Sequence, residues 1–218
     1  MTAGRTTNTR VHAVAWAKAD PPGAEFAEIQ LGSRRLRASG VAIGSDPEPY
    51  RLSFELHTRE EYITDRAVVE TQGAGWTRHL EIQRSPTGAW SASSQGAGKL
   101  DMPEPGGDPA ELGDALDLDL GLSPVFNTMP VLRHDLHNGG SAEDFLMVWI
   151  SVPDLSIHAS PQRYTFLERR SGEQLLVRFE AVGDGEDFVA DVQFDSDGLV
   201  VDYPGIATRI GGKVSRTM

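Results

Sequence analysis

The sequence predicts an all-β protein: a single large, strongly curved antiparallel sheet with little helix. Three observations carry that expectation. Apolar and polar residues alternate with a period of two along most of the chain. Gly, Pro, Asn and Asp clusters interrupt the alternation at short intervals, as turns between strands do. Almost no stretch shows the 3.6-residue period of an amphipathic helix. About a dozen strands follow, and that many must close a barrel or curl into an open roll.

The elements are read in chain order. Residues 13–18, 25–30 and 34–41 alternate weakly. Residues 50–57 alternate strictly, with Tyr50, Leu52, Phe54 and Leu56 on one face. Weaker strands are expected at 64–70, 77–83 and 89–92. Residues 96–109 are rich in Gly and Pro and read as a loop, followed by a short helix at 109–115. Leucines alternate with Asp117 and Asp119 over 116–120. Residues 131–136 read as a strand. Residues 145–152 are apolar on both faces, which places them centrally in the sheet. Strands follow at 155–159, 162–167, 175–180, 188–195 and 199–203. The turn Asp195-Ser-Asp-Gly198 joins the last two as a hairpin, its glycine supplying positive φ. Turns are also expected at 139–140 and 183–185. One domain is expected over 11–210, with frayed tails at 1–10 and 211–218.

The chain has 218 residues, enough to bury about 70% of its surface on folding. Its 20 basic and 32 acidic residues give a net charge of −12. Nucleic acid is therefore not an expected partner, since phosphate contacts need a basic footprint. Fifteen of the acids lie in two segments without a base, seven in 101–120 and eight in 179–202. There is no cysteine, which removes disulfides, thiolate metal sites and a thiol nucleophile. No apolar run is long enough for a membrane helix, and the first ten residues lack the apolar core of a signal peptide. A cytoplasmic location is the expectation.

The search for catalytic motifs is mostly negative. There is no Gly-x-Ser-x-Gly elbow, phosphate loop or dinucleotide fingerprint. His134 and His137 are three apart and would face opposite sides of a strand, so they do not chelate one metal. No metal or cofactor is expected. Asp117 and Asp119 share one face of their strand; paired carboxylates can do acid–base work or line a polar surface. Asn127 and Thr128 sit between Pro124 and Pro130, where they can cap turns or form a polar cluster at a cavity mouth. Arg133 can pair with Asp117 or Asp119. Asp202-Tyr-Pro-Gly205 with Arg209 forms a second loaded segment. Trp16, Trp76, Trp90 and Trp149 can stack on sugar rings or pack in the core.

These segments resemble a bacterial family named putative glycolipid-binding, a domain of unknown function. The resemblance runs through Asp117-Leu-Asp-Leu120, Ser123-Pro-Val-Phe-Asn-Thr-Met-Pro130 and Val131-Leu-Arg133. It continues through Val152-Pro-Asp-Leu155 with Gln162 and Tyr164, then Asp202-Tyr-Pro-Gly205 with Arg209. It covers about residues 13–209 and is looser in the first half, where His57-Thr58 stands at an expected tryptophan. It implies an open, spiral β-roll similar to half-barrel carriers of lipoproteins and glycolipids.

Two principal readings follow. In the first, a binding protein holds the apolar part of a glycolipid or other amphiphile in the concave face of the curved sheet, with Phe54, Phe126, Met147 and Trp149 as candidate lining. Asp117, Asp119, Asn127, Thr128, Arg133, Gln162, Tyr164, Asp202, Tyr203 and Arg209 are the candidate polar contacts. Burying ten methylenes would contribute roughly 8 kcal/mol before association costs. In the second, a hydrolase or isomerase uses Asp117 and Asp119 in the same cleft. Open sheet edges also make a homodimer a third reading.

Overall fold

The alternation written in the sequence becomes one face buried and one face wet. This is seen in a computed structural model that describes residues 9–99, 101–140, 143–170, 174–182 and 188–217. Seven strands of similar length come first: β1 (Thr9–Lys18), β2 (Gly23–Gly32), β3 (Arg35–Gly44), β4 (Tyr50–Thr58), β5 (Thr64–Gly73), β6 (Trp76–Arg84) and β7 (Trp90–Gly98). In β2, Ala27, Ile29 and Leu31 are buried while Phe26, Glu28 and Gln30 are exposed. β4 repeats the pattern with Leu52, Phe54 and Leu56 inside. Each strand pairs antiparallel with the next through short hairpins.

The second half is less regular. It contains β8 (Asp117–Leu120), the short helix α1 (Thr128–Arg133), β9 (Glu143–Ile150) and β10 (Ile157–Arg169). These are followed by β11 (Leu175–Ala181), β12 (Val189–Phe194), β13 (Val200–Tyr203) and β14 (Ala207–Thr217). All fourteen strands belong to one sheet, in the order β7-β6-β5-β4-β3-β2-β1-β14-β13-β12-β11-β10-β9-β8. β7 and β8 are its two edges, so the sheet is an open roll and not a closed barrel. Every pair is antiparallel except β8–β9, whose connection crosses over through α1.

Two apolar cores fill the roll. The first joins the inner face of β1–β7 to Leu118 and Leu120 of β8, Val148 and Ile150 of β9, and Leu112, Val125, Phe126 and Met129 of the connections. Phe54 and Phe126 meet edge-to-face at 5.3 Å within it. The second joins Val131 and Leu136 to Met147, Tyr164, Val177, Phe179, Phe194 and Tyr203.

Several sequence expectations change here. Residues 131–136 are not a strand: Thr128 to Arg133 form α1, and a single 3-10 turn follows. Pro130 lies in the first turn of α1, where its missing N–H costs nothing. β9 is not central but next to an edge. Its two apolar faces arise because Val148 and Ile150 enter one core and Met147 the other. Residues 155–159 and 162–167 lie largely in one strand, β10. The stretch from Gly211, expected to fray, is the second half of β14 and pairs with β1 through Thr217. Gly211 and Gly212 carry no side chains and so erased the alternation that marks a strand. At the other end Thr9 and Arg10 already belong to β1. The rest of the N-terminal tail and the turn expected at 183–185 lie outside the described residues. The hairpin at Asp195–Gly198 forms as expected: Gly198 has φ +74°, and Asp195 Oδ1 accepts from the N–H groups of Asp197 and Leu199.

Candidate functional site

Period-two geometry places Asp119 on β8, Trp149 on β9, and Ser160 and Gln162 on β10 on one face of neighbouring strands. Beside them stand Phe179 of β11 and Tyr203 of β13. Together with the turn after β8 and Asn127, these side chains border an open cleft of about 670 Å³, a size suited to a small ligand. Pro21, Asp46, Leu122, Val152 and Ile206 also line it. The wall is mostly apolar, with Trp149, Phe179, Phe188 and Tyr203 as its large surfaces. Phe188 and Tyr203 each stand about 6 Å from Phe179, ring to ring.

A chain of hydrogen bonds crosses the cleft's polar side. Asn127 Nδ2 donates to the Tyr164 hydroxyl at 2.8 Å. That hydroxyl lies 3.5 Å from Gln162 Oε1, and Gln162 Nε2 donates to Asp119 Oδ2 at 2.6 Å. Tyr164 is fully buried and is held edge-to-face between Phe145 and Phe179. Burial pushes the Asp119 carboxyl up to about 6, and the Gln162 amide only partly offsets it. Burial, with the nearby Asp119 charge, also pushes the Tyr164 and Tyr203 hydroxyls upward.

The other candidates lie elsewhere. Asp117 is 1% exposed and is clamped through both carboxylate oxygens by Arg133. Arg133 also donates to the carbonyls of Glu61 and Tyr62, tying α1 to the β4–β5 connection. Burial raises the Asp117 carboxyl and Arg133 opposes that rise. Thr128 is fully buried, and its Oγ1 has no hydrogen-bond partner among the described residues. Asp202 accepts from Thr208 Oγ1 across the β13–β14 hairpin. Arg209 binds Asp195 and the carbonyls of Leu199 and Val200, which locks the β12–β13 hairpin. Asp119, Asn127, Gln162 and Tyr203 therefore meet at the cleft, with Tyr164 directly behind them. Asp117, Thr128, Arg133, Asp202 and Arg209 are not among the residues that line it.

The expected apolar lining also changes. Phe54, Phe126 and Met147 are core residues. The connection carrying Leu112, Val125, Phe126 and Met129 fills the inside of the roll, so the concave face behind β1–β7 is packed. Of the four residues named for that lining, Trp149 alone reaches open space, at 36% exposure. Phe179 and Phe188 were legible only as strand residues, because alternation gives a face and not what lies beyond it. A larger groove of about 730 Å³ crosses the solvent face of β2–β6. Phe26, Val41 and Ile43 border it, and it contains none of the candidate polar contacts. Among the described residues no three His, Asp or Glu side chains converge in a metal-binding group, and no helix is long and apolar enough to cross a membrane.

A family profile described as "Putative glycolipid-binding" matches residues 13–209. The chain belongs to this family. A crystal structure of a DUF1089 family protein from Pseudomonas aeruginosa is similar over 85% of this chain and 92% of that one, at 22% identity and a TM-score of 0.62. At that identity the likeness concerns the fold alone. A β-barrel-like protein of unknown function, DUF1849, from Brucella abortus covers 97% of both chains at 8% identity and a TM-score of 0.45. No curated protein matches the chain. The segments that carried the resemblance have separate duties in the fold. Ser123 to Arg133 supplies both Asn127 at the cleft and the Asp117 clamp. Val152 to Leu155 makes the turn before β10, held by Asp154, whose carboxylate accepts from Ser151 Oγ and the Ser156 N–H.

Proposed function

We propose that this protein binds a glycolipid or a related amphiphile in the cleft beside β8–β10. The polar head hydrogen-bonds Asp119, Asn127 and Gln162, and the apolar part lies along Trp149, Phe179, Phe188 and Tyr203. The observation that carries the reading is the pairing of a connected polar strip with an aromatic wall in one open cleft. The family's description agrees with it. The inner face of β1–β7 has no part in this reading, because its own side chains fill it.

The test is native mass spectrometry of the protein as purified, followed by extraction into organic solvent. A bound mass that extracts as an amphiphile, and that is lost in Trp149→Ala, is the expected result. A clean apo mass in the parent protein, together with no uptake of a long-chain alkyl glycoside, would refute the proposal.

One observation favours a second reading. Asp119 faces the cleft with its carboxyl pushed up to about 6, as a general acid or base requires. In that reading the protein is a hydrolase or isomerase that uses Asp119 without Asp117, which Arg133 holds in the clamp. Asp119→Asn would then abolish turnover while ligand binding persisted.

A further inference from the structure

The cleft has a polar side, yet that side holds no cation among the described residues. Its charged lining groups are Asp46 and Asp119, and its other polar side chains are hydroxyls and amides. The arginines that could have served an anionic head are engaged elsewhere: Arg133 clamps Asp117, and Arg209 locks the hairpin. Lys18 is buried 3.1 Å from Glu25, which in turn accepts a 2.7 Å hydrogen bond from Ser123 at the cleft wall. His158 packs beside Trp149, with its Nε2 3.1 Å from Ser156 Oγ. Asp119 has no ion-pair partner among the described residues, and its one hydrogen bond in the cleft comes from the neutral Gln162.

We infer, resting on the amphiphile reading above, that the cleft selects a ligand with an uncharged, hydroxyl-rich head and rejects a phosphate or other anionic head. A hydroxyl donates to the Asp119 carboxylate and makes a charge-assisted hydrogen bond. The Asn127 and Gln162 amides supply the neutral polar surroundings such a head needs. An anionic head meets the opposite conditions. It loses hydration on entry, finds no counter-charge, and faces two carboxylates. The selectivity is built from repulsion as much as from attraction. The apolar tail contributes equally in both cases, so the head alone decides.

The experiment titrates the full-length protein with two probes of equal tail length, decyl β-maltoside and decyl phosphate. Both are kept below micelle formation at pH 7.5, and calorimetry and tryptophan fluorescence read the binding. The maltoside is expected to bind at least tenfold more tightly. Asp119→Asn, with its fold checked by circular dichroism, is expected to reduce that ratio at least threefold. Equal or tighter binding of the phosphate overturns this inference and leaves the amphiphile reading standing. An unchanged ratio in a folded Asp119→Asn protein also overturns it. If the parent protein binds neither probe, the inference and the reading beneath it both fail.

Discussion

The two halves of the sheet solve different problems with the same element. β1–β7 are strands of nine or ten residues joined by hairpins, and their inner face is apolar apart from His12, Glu25, Thr58, Thr64, Thr71 and Arg78, spread over some seventy residues. β8–β13 vary from four to thirteen residues, and their connections include α1 and several 3-10 turns. Between residues 117 and 162 this half buries Asp117, Ser123, Asn127, Thr128, Asp154, Ser156 and Gln162. A buried polar group costs stability unless it is paired, and most of these are hydrogen-bonded to a neighbouring side chain or to backbone. The contrast separates a scaffold from the candidate site. The regular half supplies a surface for the irregular half to pack on, and the cleft draws nearly all its lining from the irregular half.

That division can be broken by mutation. Arg133→Ala leaves the Asp117 carboxylate buried without a counter-charge and should cost about 3–5 kcal/mol in urea unfolding. Replacing both partners together, as Asp117→Leu with Arg133→Met, should recover much of that loss. A single-mutant cost below about 1 kcal/mol would contradict the clamp. Phe54→Ala in the regular half should cost a comparable ~3–5 kcal/mol through its cavity, yet leave the affinity of the surviving folded protein unchanged. A parallel loss of affinity would show that the halves are not separate. Trp149→Ala should do the reverse, lowering affinity about tenfold while stability moves by less than ~1 kcal/mol.

A further expected effect is a pH dependence. The folded-state value of Asp119 is about 6, against an ordinary value of 3.8. Its contribution to stability is thus fully present below about pH 4 and is lost as the pH rises through 6. Asp119→Asn should therefore melt several degrees above the parent protein at pH 7. The gain should shrink toward zero near pH 4. A mutant less stable than its parent at pH 7 would mean that the ionised carboxylate has a partner the structure does not contain.

Much of this was legible in the sequence, for reasons particular to each segment. β4 alternates strictly, and β11 and β12 alternate apart from Leu176 and Val189, so most of their inner faces were readable. Asp119, Asn127, Gln162 and Tyr203 were nominated from four separate segments, and the fold brings them to one cleft. Asp202 and Arg209 were nominated on the same grounds and hold a hairpin instead. Turn chemistry and ligand chemistry use the same residue types, so sequence could not divide them. Val131 and Leu132 look like strand residues because apolar runs suit either element. Phe188 lay in a readable strand, but open space beside a side chain leaves no mark in its own sequence.

The pairing of β1 with β14 has a consequence for how the chain reaches this state. It joins Thr9 to Thr217, while most other pairs in the sheet link strands that follow each other in the chain. The two halves can each zip up locally, but they become one sheet only when the most distant residues meet. That single seam raises the contact order and sets a slow final step. A circular permutant that links β14 to β1 and opens between β7 and β8 would run through all fourteen strands in sheet order. Every neighbour in the sheet would then also be a neighbour in the chain, and refolding of the permutant should be faster than that of the parent.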